Sequence, residues 1–136
     1  VKLPHLNGWH RSRRENAHAY NQLFEHSTLS PMVQTPKEQH PGSLLFPHIY
    51  NQYVIRAGRR DELMEFLKQR GVSSEIYYPV PFHEQNCFAG VSNSARELEN
   101  SSRAAKEVLS LPVYPELSRE MQEYVVDQIT EFYREN

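Results

Sequence analysis

The sequence predicts one α/β (α+β) domain, in which helices cover one or both faces of a small antiparallel or mixed sheet. Short segments with the two-residue period of a strand alternate with longer segments that have the period of a helix, and the connections between them are short. The chain has 136 residues, which is enough to bury one core without disulfides or metals. Its sequence contains no internal repeat or long low-complexity tract that would suggest another architecture.

The first predicted element is a long amphipathic helix from Leu3 to about His26. Pro4 stands near its start, where the missing N–H of proline costs little. The middle of the segment, from Arg11 to Glu15, is strongly charged and is expected to be a solvated face. Apolar and aromatic residues recur mostly at three- and four-residue steps, and they are Leu3, Leu6, Trp9, Ala17, Tyr20, Leu23 and Phe24. The pattern is that of a helix with one apolar side.

Two extended segments follow this helix. The first, Ser30–Ser43, contains three prolines that break any helix, so we expect an extended segment and a loop, with Val33 in a short edge strand. The second, His48–Arg56, alternates apolar and polar residues and predicts a half-buried strand. Its apolar residues on one face are Ile49, Tyr53 and Ile55.

A helix over Asp61–Arg70 and a strand over Val72–Tyr78 are predicted next. The helix has acidic residues in its first turn and basic residues in its last, and Gly71 follows it, where a left-handed glycine commonly ends a helix. The strand is rich in β-forming residues and ends at Pro79, because proline cannot donate a ladder hydrogen bond.

Two further helices complete the predicted fold. The first covers Ala95–Leu109 and ends shortly before Pro112. Ser118 is the expected N-cap of the last helix, whose apolar side consists of Met121, Val125, Ile129 and Phe132. Between them, a proline-rich turn is expected to reverse the chain between two antiparallel helices, and its anchors in the core are Leu111, Val113 and Leu117.

Composition argues against several classes of function. The formal net charge is −2, so no basic field is available to neutralise the phosphates of a nucleic acid. Cys87 is the single cysteine, and no apolar run approaches the roughly 18 residues that cross a bilayer. The histidines form no i, i+4 pair of the kind found in helical zinc sites. We therefore expect a cytoplasmic protein with no nucleic-acid, membrane or metal partner.

The segment Tyr77-Tyr78-Pro79-Val80-Pro81-Phe82-His83 is the candidate binding loop. Its prolines fix a loop at a strand end, so that aromatic hydroxyls and an imidazole project from a stiff platform suited to sugars and phosphates. Tyr77, Tyr78 and His83 are therefore candidate substrate-binding residues. The alternative is purely structural, with Tyr77 or Tyr78 packed in the core and His83 capping the next turn.

Three segments of the chain resemble one enzyme family. They are VLSLPVYPELSREMQEYVVDQITEFY at 108–133, YYPVPFHEQNCF at 77–88, and KLPHLNGWHRSRRENAHAY at 2–20. They are similar to the C-terminal small domain of the DegT/DnrJ/StrS family of pyridoxal-phosphate-dependent sugar aminotransferases, which are fold type I transferases. The resemblance implies a linker helix in residues 1–26 and a small α/β domain in residues 27–136. It also implies an N-terminal PLP-binding domain that is absent from these residues.

The resemblance further implies what the full-length parent does. A homodimer with pyridoxal 5'-phosphate would move an amino group from an amino-acid donor, expected to be glutamate, to a nucleotide-linked keto-sugar in polysaccharide or antibiotic sugar biosynthesis. The lysine that holds the cofactor is expected outside this chain, because none of its four lysines matches a cofactor motif of the family; they are Lys2, Lys37, Lys68 and Lys106. The chain alone is therefore expected to bind no cofactor, to contain no catalytic residue and to be inactive.

The same resemblance indicates which residues meet the substrate. The candidate loop follows the family's HYPxPxH-like pattern at Tyr78 and His83, whereas Tyr77 replaces a histidine and lacks its titratable group. The segment His48–Arg56 resembles an HxYHxYxIR-like strand of the family, with Asn51 in place of a histidine, and makes His48 a further candidate. Two alternatives remain open: a sugar dehydratase, in which histidine replaces the cofactor lysine, and a noncatalytic binding or regulatory module.

Overall fold

The computed structural model describes residues 1–39, 48–88 and 98–135. These residues form an antiparallel sheet with helices around it, which confirms the predicted fold class. In chain order the elements are α1 (Leu6–Glu25), β1 (Val33–Gln34), β2 (Tyr53–Ala57), α2 (Arg60–Gln69), α3 (Glu99–Glu107), β3 (Val108–Leu111) and α4 (Arg119–Glu135). Short 3-10 turns cover Leu3–His5, Phe82–Glu84 and Asn86–Phe88.

The sheet has the strand order β1-β2-β3, and both pairings are antiparallel. Val33 pairs with Ala57 at one edge of the sheet, as the sequence predicted for a short edge strand. On the other side of β2, Tyr53 pairs with Leu111 and Ile55 with Leu109. β2 is therefore the central strand of the described sheet.

The hydrophobic core lies on one face of the sheet. Along β2 the buried residues alternate with half-buried ones, as a strand with one face in the core requires. Helix α4 packs against both α1 and α2, and the three helices contribute buried side chains to the same core cluster as the strands. The largest fully buried side chains include Tyr20, Tyr53, Ile55, Leu63, Leu109 and Ile129. Burial of each aliphatic side chain among them contributes about 1.5–3 kcal/mol relative to leaving it exposed.

The strand predicted from His48 to Arg56 begins only at Tyr53, so its first half was predicted incorrectly. Tyr50 has a left-handed backbone, with φ of 46°, and this turn reverses which side chains point inward. Tyr50 is 1% exposed and Ile49 is 37% exposed, the opposite of the predicted alternation. The ring of Tyr50 packs against those of His48 and Tyr53, which explains why the aromatic residue is the buried one.

The predicted strand Val72–Tyr78 is also wrong, because Glu75 alone pairs with the sheet, opposite Ser110. The two residues exchange backbone hydrogen bonds of 3.1 and 2.8 Å. Tyr78 has φ of 61°, which no strand residue adopts, and the chain leaves the sheet before it. The end of the preceding helix follows the prediction, since Gly71 is left-handed with φ of 73°.

The helix predicted over Ala95–Leu109 ends earlier, because Val108–Leu111 form strand β3. Pairing with β2 outweighs the helical spacing of these residues. The proline-rich turn therefore joins a strand to a helix, which corrects the predicted turn between two helices. The start of the predicted helix, at Ala95, lies outside the described residues.

Helix α4 begins where the sequence predicted, but the residues that it buries in the core differ slightly from the predicted ones. Ser118 caps it, since its Oγ accepts a hydrogen bond of 3.3 Å from the N–H of Met121. Met121 itself is exposed, which contradicts the prediction, and Gln122 is buried in its place. The buried amide is satisfied because Nε2 of Gln122 donates to the carbonyl of Asn16 at 2.8 Å.

Candidate functional site

The candidate loop lines a cavity of about 600 Å³ between itself and helix α3. Three of the four predicted site residues, Tyr77, Tyr78 and His83, contribute to its wall. The remaining wall is mainly apolar, from loop residues such as Val80 and Phe82 and from α3. A cavity of this size and character can enclose part of a small organic ligand.

The two tyrosines lie over the sheet face that is opposite the core. They form a second, smaller cavity of about 170 Å³ with residues of this face that include Val54 and Ser110. Tyr77 is 45% and Tyr78 is 77% exposed, so the alternative that places either of them in the core is wrong. Their rings and hydroxyl groups are therefore accessible to a ligand.

The backbone of the loop is held by its own residues after the left-handed turn at Tyr78. Pro81 precedes the 3-10 turn Phe82–Glu84, and Nε2 of Gln85 donates to the carbonyl of Val80 at 3.2 Å. The rings of Phe82 and Phe88 meet edge to face with 5.8 Å between centroids. These contacts join residues of the loop to one another, and its stiffness stays a prediction from its prolines.

His83 forms a polar cluster with Glu84 and with Ser102 of helix α3. Nε2 of His83 lies 3.2 Å from Oγ of Ser102, and the Ser102 hydroxyl donates to the Glu84 carboxylate. Oε1 of Glu84 is also 3.4 Å from Nε2 of His83. The cluster ties the loop to α3. His83 therefore contacts a separate helix, whereas the structural alternative predicted only that it caps the next turn.

Helix α3, which forms the other wall of the cavity, is fixed by the buried side chain of Arg60. Its guanidinium donates to the carbonyl of Val108 at 2.7 Å and to that of Ala105 at 2.9 Å. It also pairs with Asp61 at 2.7 Å. A cation at the carbonyl end of a helix satisfies acceptors that the helix leaves free. Sequence reasoning missed Arg60, because its partners are 45 and 48 residues away.

His48 lies apart from the other three candidates and is not among the described residues that line either cavity. Its Nδ1 accepts a hydrogen bond of 3.0 Å from the N–H of Tyr50, and its carbonyl accepts one of 2.9 Å from Arg14. Arg14 also pairs with Glu38 at 2.6 Å. Burial, followed by the nearby Glu38 carboxylate, raises the pKa of Tyr50. The structure thus gives His48 a role in shaping the turn at Tyr50, and its contact with substrate stays a prediction.

The cavity beside the loop does not fit pyridoxal phosphate. That cofactor needs a lysine for its aldehyde and cationic or N–H donors for its phosphate, and the described wall of the cavity contains neither lysine nor arginine. Lys37 lines a separate cavity of about 800 Å³, which it shares with Glu25 and Glu38. Glu38 is already paired with Arg14, and Glu25 offsets the charge of Lys37, so no net positive charge is left for a phosphate and this cavity does not fit the cofactor either.

The described residues also offer no site for a metal ion or a membrane. Within residues 1–39, 48–88 and 98–135, no group of three or more His, Cys, Asp or Glu side chains could hold a metal ion. No helix in the same ranges has both the length and the apolar character needed to cross a membrane.

Similarity to known proteins extends over nearly all of the chain. The sequence profile of the DegT/DnrJ/EryC1/StrS aminotransferase family matches residues 1–130. A relative from Geobacillus stearothermophilus, named "Pleiotropic regulatory protein", is 46% identical over 98% of this chain and 35% of its own length. The dTDP-3-amino-3,4,6-trideoxy-alpha-D-glucose transaminase of Streptomyces venezuelae is 29% identical over 97% of this chain and 33% of its own length.

A solved structure agrees with these sequence relatives. The X-ray crystal structure of S. venezuelae DesV in complex with a ketimine intermediate superposes with a TM-score of 0.81, at 29% identity, over 97% of this chain and 34% of that chain. The chain thus spans about a third of the length of the relatives it matches. The profile match and the 46% identical relative lead to one conclusion: the chain belongs to the DegT/DnrJ/EryC1/StrS aminotransferase family.

Proposed function

We propose that the full protein moves an amino group from glutamate to a nucleotide-linked keto-sugar, and that these residues form its C-terminal small domain. Membership of the aminotransferase family supports the reaction class. The similarity to a transaminase of a dTDP-linked sugar supports the substrate class. Polysaccharide and antibiotic sugar biosynthesis are the processes that consume such amino-sugars.

The observation that carries the proposal is the cavity that gathers Tyr77, Tyr78 and His83. Exposed aromatic rings offer flat apolar surfaces to the C–H faces of a sugar, and hydroxyl and imidazole groups offer hydrogen bonds to its hydroxyls. The role of this domain would be to bind and orient the sugar. His48 would contribute indirectly, through the turn at Tyr50.

Pyridoxal 5'-phosphate, which carries the amino group between donor and acceptor when bound, would be held by residues outside these 136. The cavity beside the loop lacks the lysine and the cations that the cofactor needs, which supports this division of labour. The proposed boundary puts a linker helix in residues 1–26 and the small domain in residues 27–136. In its support, the buried residues of α1 begin at Ala17, and Leu3, just before the helix, is 78% exposed, so this end presents apolar surface that could contact another domain. We further propose a cytoplasmic homodimer.

The proposal is tested by assaying the full protein with pyridoxal phosphate, glutamate and a dTDP-linked keto-sugar. We expect 2-oxoglutarate and a dTDP-amino-sugar, each identified by mass spectrometry. A deoxygenated sugar without nitrogen would replace this proposal with the dehydratase alternative. A full protein that forms neither product from dTDP- or UDP-linked keto-sugars would contradict the proposed function.

A variant of the loop tests whether the cavity is the sugar site. Tyr78→Phe keeps the ring and removes the hydroxyl. We expect the KM for the sugar to rise about fivefold, because this is the change in affinity that the loss of one hydrogen bond causes. The KM for glutamate is the internal control and should stay unchanged. Equal changes in both constants would argue against a sugar contact at Tyr78.

A regulatory role is a second candidate, favoured by the name of the relative that shares 46% identity. It predicts that the full protein forms no amino-sugar, yet changes the expression of other genes when it is deleted. The same assay for amino-sugar formation separates this candidate from the aminotransferase.

A further inference from the structure

The polar cluster at the cavity wall fixes which nitrogen of His83 carries a proton. A serine hydroxyl has one proton and an ionised carboxylate has none, so the hydrogen bond between Ser102 and Glu84 uses the Ser102 proton. Nε2 of His83 lies 3.2 Å from the same Ser102 oxygen, and it can bond there only by donating. Its second neighbour, Oε1 of Glu84 at 3.4 Å, is likewise an acceptor. Nε2 therefore carries a hydrogen.

A neutral imidazole has a single N–H, so Nδ1 of this ring is then a free acceptor. No residue in the described ranges bonds to Nδ1, and this atom is not among the buried polar atoms without a partner. The ring forms part of the cavity wall, although the side chain is only 12% exposed. Nδ1 is thus an acceptor that a ligand in the cavity can use.

The surroundings of the ring favour a hydroxyl group as its partner. The described wall has no lysine or arginine, whereas proteins commonly bind phosphate through such cations and through N–H donors. A bare imidazole nitrogen repels a phosphate oxygen and accepts readily from an O–H. A sugar supplies several O–H donors, and the neighbouring aromatic and apolar side chains suit its C–H faces.

We propose that Ser102 and Glu84 are positioning residues, which direct the proton of the neutral His83 ring to Nε2 so that Nδ1 accepts a hydrogen bond from a sugar hydroxyl. That the ligand is a sugar rests on the proposed function. The tautomer itself is independent of that function, so the two are tested separately.

The first test is nitrogen NMR of the histidine rings in the full protein, with His83→Gln to identify the His83 signals. We expect the Nε2-protonated tautomer in the unmodified protein. Glu84→Leu frees the Ser102 proton to be donated to Nε2, so we expect the ring to change to the Nδ1-protonated tautomer. Ser102→Ala leaves Oε1 of Glu84, 3.4 Å from Nε2, as an acceptor and should keep the original tautomer. Ser102→Ala combined with Glu84→Leu removes both acceptors and should give a mixture of the two tautomers.

Ser101→Ala is the matched control for the spectra, because it removes a neighbouring hydroxyl of α3 that makes no bond to His83 in the described structure. It should leave the tautomer unchanged. An unchanged tautomer in Glu84→Leu would overturn the positioning role. That variant alters an exposed side chain on the loop, so it remains informative even if Ser102→Ala fails to fold.

The second test is ligand binding, with dTDP and dTDP-glucose as probes in the full protein. dTDP-glucose should shift the Nδ1 resonance in the direction of an accepted hydrogen bond, and dTDP alone should not. Glu84→Leu should weaken dTDP-glucose about fivefold to tenfold and dTDP hardly at all, because a ring protonated on Nδ1 cannot accept a hydrogen bond from the sugar hydroxyl. Protonation of Nδ1 on addition of dTDP alone would mean a phosphate contact and would overturn the hydroxyl assignment.

The two claims fail in different ways. If the tautomer responds to Glu84→Leu but the full protein forms no amino-sugar, the positioning role stands and the proposed function falls. If amino-sugar forms but the His83 tautomer is unchanged when Glu84, or both Ser102 and Glu84, are replaced, the function stands and the positioning role falls.

Discussion

The two faces of the sheet are covered in different ways. On the core face, β2 and β3 pack against apolar residues of α1, α2 and α4, with many fully buried side chains. On the opposite face, the attachments of the loop that carries Tyr77 and Tyr78, as far as residues 48–88 and 98–135 show them, include the Glu75–Ser110 pairing and the cluster of His83, Glu84 and Ser102. The first face supplies the stability of the fold, whereas the second presents accessible groups on a surface held by individual hydrogen bonds.

The strongest test of this contrast is Ile55→Ala compared with Val54→Ala. The two residues are neighbours in β2, but Ile55 is fully buried in the core and Val54 is half-buried on the cavity face. We expect Ile55→Ala to lower the free energy of unfolding by about 2–5 kcal/mol, measured by urea denaturation. Val54→Ala should cost about 1 kcal/mol or less. Equal losses would show that both faces contribute alike.

Alkaline pH should weaken the core face through its buried tyrosines. Burial is the first cause that raises the pKa of Tyr20 and of Tyr53. Their folded pKa exceeds the unfolded value of about 10, so their contribution is complete below that pH and is lost as pH rises towards the folded pKa. Each tyrosine should lower the free energy of unfolding by about 1.4 kcal/mol per pH unit within this window.

Tyr20→Phe provides the matched variant for this pH dependence. The Tyr20 hydroxyl is buried and has no hydrogen-bond partner in the described residues, so its removal sacrifices no bond. We expect stability at neutral pH to be retained or to rise by about 1 kcal/mol, and the alkaline slope of the unfolding free energy to decrease. A slope that matches that of the unmodified protein would contradict the role of Tyr20.

Removal of the Arg60 side chain should have an intermediate effect that is concentrated at the cavity. Arg60→Met leaves the carbonyls of Ala105 and Val108 without their donor, so we expect a loss of about 1–3 kcal/mol. Hydrogen exchange should increase more in α3 than in α1. Uniform acceleration in both helices would mean that Arg60 supports the whole fold and not mainly the cavity wall.

The smallest expected effect is at the end of α2. Gly71 has φ of 73°, and a Cβ added there would meet no atom within 4 Å, so Gly71→Ala should cost only the backbone strain of about 1 kcal/mol. Gly58 is equally open but has no positive φ. Gly58→Ala should therefore leave the urea midpoint nearly unchanged, and a loss as large as that of Gly71→Ala would refute the strain argument.

Local sequence patterns predicted the elements of the core face well. Helix α1, helix α2 with Gly71, the edge position of Val33 and the Ser118 cap all follow from periodicity and turn chemistry. The errors occur where tertiary contacts outweigh local preference. Strand β3 has helical spacing and is extended because it pairs with β2, and Tyr50 is buried because it adopts a left-handed turn beside other aromatic rings.

The candidate site was predictable only in part. Prolines and aromatic residues in consecutive positions are enough to identify the loop of Tyr77, Tyr78 and His83 from the amino-acid sequence alone. Glu84 directly follows His83, but nothing in the sequence marks Ser102, 19 residues from His83, as its partner. Such pairs depend on how α3 is placed against the loop, and that placement depends in turn on Arg60.

The Glu75–Ser110 pairing has a consequence for protein engineering. It joins the loop to the sheet through backbone atoms, so it places no demand on the side chains that follow. Ile76, the next residue, packs against the core cluster, so segments that begin after Ile76 could be exchanged between members of the family while the same ladder contact is kept. Chimaeras joined at this point would present the exposed side chains of the donor loop on a scaffold whose core residues are untouched.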